Sequence, residues 1–319
     1  MSPKGRRDGE HRSAEHEGTP ASAASTRMSE VVALQRDLHA AGYVAEGPLA
    51  AAILLMQDLG RPLLLEGDAG VGKTEVAKAL ATVRKAKLIR LQCYEGLDAH
   101  AAMYEWNYQR QLLAIKLLEQ DERPVAEKEQ DIFSERYLLT RPLLEAIRCE
   151  TPPVLLIDEV DRADEAFEAY LLELLSDFQM SIPELGTVRA VSRPLVVVTS
   201  NGTRELSDAL RRRCLYQYID FPDFAKELAI VEMRVPDVAG ALARQLVGFV
   251  QSVRRMDLRK KPGIAETLDW AAALLRLGIS ALDDDGAERI LETLSALIKT
   301  REDRAAFTRD SVARVAAAC

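Results

Sequence analysis

Between residues 60 and 222, short runs of consecutive apolar residues alternate with segments of helical period. The runs are Pro62–Leu65 (PLLL), Lys87–Gln92 (KLIRLQ), Val154–Asp158 (VLLID), Leu195–Ser200 (LVVVTS) and Gln217–Asp220 (QYID). A strand that is apolar on both faces needs cover on both, so the pattern predicts an α/β fold with a parallel sheet between two helical layers. Helical patterns over about Ser29–Ala41 and Pro48–Leu59 precede the first run, and Thr74–Arg84 follows it. After Phe221-Pro222 the strands stop. Asp223 can cap a helix from Phe224, and Val238–Arg255, Glu266–Leu277 and Glu288–Lys299 follow with helical period. Pro236, Pro262-Gly263 and Gly278 punctuate them. The expected organisation is therefore an α/β core over 28–222 and a helical domain over 223–319.

Two stretches fall outside this pattern. Residues 1–27 are polar, mixed in charge and without an apolar period, which predicts a disordered tail. Met28 at its end is a second candidate start. Tyr94–Thr140 is long and highly charged in its middle (EQDERPVAEKEQD), too long for a structureless loop, and reads as an insertion with its own helix and turns.

Charge and composition narrow the classes. A net charge of -8 gives no chain-wide basic field, so nucleic acid is not an expected partner. Cys93, Cys149, Cys214 and Cys319 form no C-x-x-C pair, which argues for reduced thiols rather than structural zinc. The terminal Cys319 is the one expected to be exposed. The longest apolar run, Pro48–Gln57, is too short to span a bilayer, and no signal-peptide core is present. A cytoplasmic location is the expectation.

The sharpest chemistry is Gly67-Asp68-Ala69-Gly70-Val71-Gly72-Lys73-Thr74, a complete G-x-x-x-x-G-K-[ST] that follows a predicted strand and opens a predicted helix. In such a loop, backbone N–H groups wrap phosphates at a helix N-terminus. Lys73 would reach the β- and γ-phosphates of ATP, and Thr74 would offer its hydroxyl to Mg2+. The strand Val154–Asp158 ends in Asp158-Glu159, a buried tip that needs a cation or partner. Asp158 would hold Mg2+, mainly through water, and Glu159 would polarise a water for attack on the γ-phosphate. Another strand ends in Thr199-Ser200-Asn201, where a short amide can hold that water or a phosphate oxygen. Arg211-Arg212-Arg213 lies shortly beyond. These arginines either complement a helix C-terminus or supply one guanidinium to the phosphates of a neighbouring subunit, which requires a ring or other repeating assembly.

With these four elements in this order and helices behind them, the chain resembles the AAA+ ATPases, more narrowly the MoxR group and within it the CoxD-like members. The carriers are GDAGVGKTEVAKALA, LIRLQCYEGLDAH, AMYEWNYQRQLL, PPVLLIDEVDRADEAFEAYLLELLSDFQMSIPELGT, VVVTSNGTRELSDALRRRCLYQYIDFPD and PGIAETLDWA, over roughly residues 40–280. The resemblance implies an αβα core with strand order 5-1-4-3-2, a four-helix lid and usually a hexameric ring. It assigns Asp177–Val191 to a hairpin before the sensor strand, and part of Tyr94–Thr140 to an insertion in the second helix. It makes Arg213 the first candidate for the trans-acting arginine and Arg212 the second. It also implies an ATP-hydrolysing chaperone that matures a metalloenzyme such as a molybdenum hydroxylase, working with a partner carrying a von Willebrand A domain. One departure stands out. Family members often carry an arginine near the start of the third lid helix, but this segment reads Gly263-Ile264-Ala265-Glu266-Thr267. Either Lys260 or Lys261 takes over the contact, or the contact is absent. The rival readings are a DNA-associated AAA+ motor and a nucleotide-gated scaffold with little turnover.

Overall fold

The computed structural model describes residues 20–97, 102–118, 121–282 and 286–317. Its strands are β1 (Leu63–Glu66), β2 (Leu88–Gln92), β3 (Tyr104–Trp106), β4 (Leu138–Thr140), β5 (Val154–Asp158), β6 (Gln179–Ile182), β7 (Gly186–Arg189), β8 (Leu195–Ser200) and β9 (Leu215–Tyr218). Five of them form one sheet in the order β2-β5-β8-β1-β9, parallel throughout. Numbered among themselves, these strands run 5-1-4-3-2, the order the resemblance implies.

Strand alternation divides the apolar runs between two helical layers. Leu155, Ile157, Val196, Val198 and Leu64 face one cluster with residues of helices Pro142–Arg148, Glu165–Asp177 and Asp208–Arg213. Their neighbours Val154, Leu156, Val197, Leu63 and Leu65 face the other, with Leu34, Leu38, Ile53, Met56, Val76 and Leu80 of helices Pro20–Ala40, Gly47–Leu59 and Lys73–Arg84. Every residue of β5 is buried. That is why its sequence is a continuous apolar run and why its end can carry Asp158 into the interior.

The edge strand β9 spans Leu215–Tyr218, two residues earlier than the sequence pattern indicated. Leu215 N–H donates to the Pro62 carbonyl at 2.8 Å, which starts the pairing. Being covered on one side only, β9 alternates in exposure rather than forming an apolar run. The helix Pro20–Ala40 begins inside the stretch read as a disordered tail. Pro20 opens it and the alanine-rich ASAAS favours it, while Leu34 and Leu38 anchor its far end. Residues 1–19 of that tail, like Cys319, lie outside the described residues.

The insertion is closed by the antiparallel pair β3–β4 and carries helices Tyr108–Leu118 and Val125–Ile132. The hairpin β6–β7 lies within Asp177–Val191.

After β9, helices Phe224–Arg234, Gly240–Arg254, Ile264–Arg276, Gly286–Thr293 and Arg309–Ala317 share a third apolar cluster around Phe249 and Trp270, with the short helix Arg301–Ala305 between the last two. The fourth of these stops well short of the Glu288–Lys299 pattern. Asp223 caps the first, accepting from Lys226 N–H at 2.8 Å. Within the cluster the Arg254 guanidinium makes a two-pronged pair with the Glu227 carboxylate at 2.6 and 2.7 Å. Thr267 Oγ1 donates to the same carboxylate at 2.8 Å. A buried charge pair of this kind fixes helix register, because removing one partner strands the other. Among the described residues, no helix is long and apolar enough to cross a membrane.

Candidate nucleotide site

Residues 67–74 join β1 to the helix Lys73–Arg84, at the carboxyl end of a central strand where parallel sheets gather ligands. Gly67 has no alternative: a Cβ there would sit 2.2 Å from the Ile219 carbonyl oxygen. Gly70 (φ +83°) and Gly72 (φ +94°) take left-handed conformations that turn the loop back over the helix start. Lys73 is buried and points beneath the loop, donating to the Gly67 and Asp68 carbonyls and to Asn201 Oδ1, each at 2.8 Å. Burial lowers its ammonium pKa, opposed by Asp161, Asp68, Asp158 and Glu159.

Asp158 is 3% exposed and has its whole carboxylate engaged. Thr199 Oγ1 donates to Oδ1 at 2.6 Å, Thr74 Oγ1 to the same oxygen at 3.1 Å, and Arg90 Nη2 to Oδ2 at 2.6 Å. Thr199 also accepts from Glu159 N–H at 2.9 Å, so β8 holds the turn that aims both acids. Glu159 occupies the left-handed region (φ 56°, ψ 51°), uncommon for a non-glycine residue. This turns its carboxylate out of the strand into the cleft, between Gln92 Nε2 at 3.2 Å and Arg162 Nε at 3.1 Å.

Asn201 is held from behind by a residue the motif reading missed. Asp161 accepts from the N–H groups of Asn201 (3.1 Å) and Thr203 (2.9 Å) and from the Thr203 hydroxyl (2.6 Å). Burial pushes the Asp161 carboxyl up, but these donors outweigh it and hold it below the ordinary carboxylate value. Arg90 and Gln92 reach the site through the register of β2 on β5, and Asp161 through the short turn that follows Asp158-Glu159.

Above the loop lies a cavity of about 350 Å3. Its floor is 69–75 with Asp158, Glu159, Thr199 and Asn201, and Gly42, Tyr43 and Val44 close one side. The roof is Lys226, Ile230 and Arg234, on one face of helix Phe224–Arg234, with Ile264, Ala265 and Leu268. Ile264 N–H donates to the Gly70 carbonyl at 2.9 Å. Lys260 and Lys261 do not line the cavity. The roof's positive charge comes instead from the first helix of the group, where Lys226 pairs with Glu46 at 2.7 Å and Arg234 with Glu75 at 3.1 Å.

The three consecutive arginines end helix Asp208–Arg213, outside the cavity. Arg213 folds back on its own chain, donating to Ser176 Oγ and to the Ala209 carbonyl at 3.0 Å. Arg211 reaches Glu66 at 3.4 Å. Arg212 is exposed.

Residues 62–214 match the AAA domain of the dynein-related subfamily. The fold is that of an AAA+ P-loop ATPase. Relatives include the gas vesicle ATPase GvpN of Haloferax mediterranei, 27% identical over 71% of this chain and 64% of that protein. Another is the gas vesicle ATPase GvpN1 of Halobacterium salinarum, 27% identical over 63% of this chain and 59% of that protein. The chaperone ClpB of Chlamydia trachomatis is 27% identical over 50% of this chain and 17% of its own length. The chain thus spans less than two thirds of each of these relatives. Among solved structures, the Thermotoga maritima RuvB Holliday junction branch migration motor is 19% identical with a TM-score of 0.42, covering 81% of this chain and 69% of that one. That likeness is too distant to bear on function.

The residues present fit a nucleoside triphosphate with Mg2+. Gly70 and Gly72, without side chains, turn the loop back over the helix start, and a buried lysine lies beneath it. A hydroxyl and a carboxylate within 3.1 Å offer the oxygen donors a hard divalent cation uses beside phosphates and water.

Proposed function

We propose that this protein hydrolyses ATP to ADP and phosphate and spends the energy remodelling a protein client. The observation that carries the reading is the joint positioning of Lys73, Asp158, Glu159 and Asn201 around one cavity. Gly67–Thr74 would wrap the phosphates, and Thr74 with Asp158, the latter mainly through water, would hold Mg2+, which when bound neutralises phosphate charge. Glu159 takes the proton of the attacking water, and Asn201 orients that water while Lys73 steadies the γ-phosphate. AAA+ proteins typically form oligomeric rings, and a hexamer would let an arginine of one subunit act at the next.

The finer reading places the chain in the MoxR group, CoxD-like, as a chaperone completing the metal site of a molybdenum hydroxylase with a von Willebrand A domain partner. The motif segments quoted above support it, and relatives named as a chaperone and as gas vesicle ATPases are consistent with work on protein assemblies. A net charge of -8 counts against a DNA motor.

Phosphate release with and without Mg2+ tests the hydrolysis. Glu159→Gln should still bind ATP but turn over about 100-fold or more slowly; unchanged turnover removes Glu159 as the base. For the client, deletion of the gene should leave a molybdenum hydroxylase of the same cell without a complete metal site. Normal metallation would refute the client and leave the ATPase standing.

A further inference from the structure

Arg61 lies between helix Gly47–Leu59 and β1, far in sequence from the three arginines, yet its guanidinium closes the end of their helix. Nε donates to the Arg213 carbonyl at 3.2 Å, and Nη2 donates to the carbonyls of Arg212 and, at 3.3 Å, Cys214. The last carbonyls of a helix have no partner within it and carry the negative end of its dipole. A planar guanidinium with fixed N–H directions can satisfy several at once, which a lysine ammonium cannot do with the same rigidity. The helix is only Asp208–Arg213, so its direction depends on how its ends are held. At its start Ser207 accepts from Leu210 N–H at 3.3 Å. At its end Cys214 N–H donates to the Arg211 carbonyl at 3.2 Å, and Arg61 takes the three carbonyls that follow.

The surroundings join this clamp to the nucleotide loop. Two residues after Arg61 begins β1, whose last residue Glu66 accepts from Arg211 at 3.4 Å and from the Tyr216 hydroxyl at 3.1 Å. Gly67 follows directly. Of the three arginines, Arg211 and Arg213 are thus occupied within the chain, while Arg212 is exposed at the clamped turn.

We propose that Arg61 is a positioning residue that fixes the end of helix Asp208–Arg213, so that Arg212 is presented to the nucleotide of a neighbouring copy of this chain. This rests on the ATPase reading above. Arg61 does not line the cavity of its own subunit. It ties the strand that leads into one site to the arginine that serves the next.

The test is a double-mutant cycle on full-length protein, reading steady-state ATP turnover, nucleotide affinity by titration of a fluorescent ADP, and assembly size. Arg61→Ala should lower kcat by roughly a hundredfold, the scale of misplacing a reacting group, with nucleotide affinity kept within about twofold. Arg61→Lys should recover only part of the rate. Arg212→Ala should lower kcat further, and the Arg61→Ala/Arg212→Ala double variant should be no slower than Arg212→Ala alone, because Arg61 works through Arg212. Rate losses that multiply in the double variant overturn the inference, as does full activity in Arg61→Ala. So does an affinity loss in Arg61→Ala that matches its rate loss. Wild-type protein that binds nucleotide but releases no phosphate overturns the ATPase reading itself.

Discussion

Gly263 lies against Gly70 with bare backbone on both sides. A Cβ on Gly263 would stand 2.8 Å from the Gly70 Cα and 2.9 Å from its carbonyl oxygen. One residue later the Ile264 N–H takes that same carbonyl. The roof of the cavity thus rests directly on the Gly67–Thr74 loop, at the segment where the family resemblance leads one to expect an arginine.

Gly263 has an ordinary φ of -83°, so alanine would be unstrained there and only the contact would suffer. Gly263→Ala should therefore separate roof and loop at a cost of about 1–3 kcal/mol. Thermal unfolding should show a lowered Tm, partly restored by saturating nucleotide. An unchanged Tm and affinity would mean the two segments part freely.

Arg234 is the roof arginine that lines the cavity. Its carboxylate partner Glu75 also holds Lys78 at 2.5 Å, so Glu75 stays paired if Arg234 turns toward phosphate. Arg234→Gln should weaken ATP and ADP binding roughly tenfold, measured by calorimetry. Lys260→Ala and Lys261→Ala should leave it unchanged. The opposite pattern would return the role to the lysines.

Arg212 and Arg213 should separate by their effects. Arg212→Ala should abolish most turnover while leaving Tm and nucleotide affinity in place, the loss of transition-state charge stabilisation being large. Arg213→Ala breaks the contacts to Ser176 and Ala209 and should lower Tm. Equal loss of turnover without loss of Tm in Arg213→Ala would make it the acting arginine.

Asp161 couples acid stability to the site. Its folded pKa lies below the ordinary 3.8, so the stability it contributes is present above about pH 4 and is lost as pH falls through the lowered folded value. Asp161→Asn should cost about 1–2 kcal/mol at neutral pH and loosen Asn201. The gap in Tm between the two proteins should close as the pH drops below 4. A gap constant with pH would show that the charge plays no part.

Much of this was legible in the chain. The continuous apolar runs fix buried parallel strands, because only strands covered on both faces hide such residues completely, and β5 and β8 fall at the predicted residues. The edge strand β9 was the least legible, since its exposed Tyr216 and Tyr218 leave it no continuous apolar run. Glu159 and Asn201 could be placed at strand ends because the strands themselves were legible.

The sequence by itself determined the phosphate loop, the order of the acids and the α/β layering, all set by local spacing and by the side-chain period of strands and helices. Only the tertiary structure decided which residues support them. Arg61, Gln92, Asp161 and Arg234 lie in four different segments, and no spacing along the chain connects Arg61 to the Arg212 carbonyl or Asp161 to Asn201. Those contacts come from strand register and from the packing of helices across the sheet, which bring polar groups together because a buried donor or acceptor must find its partner wherever the fold has put it.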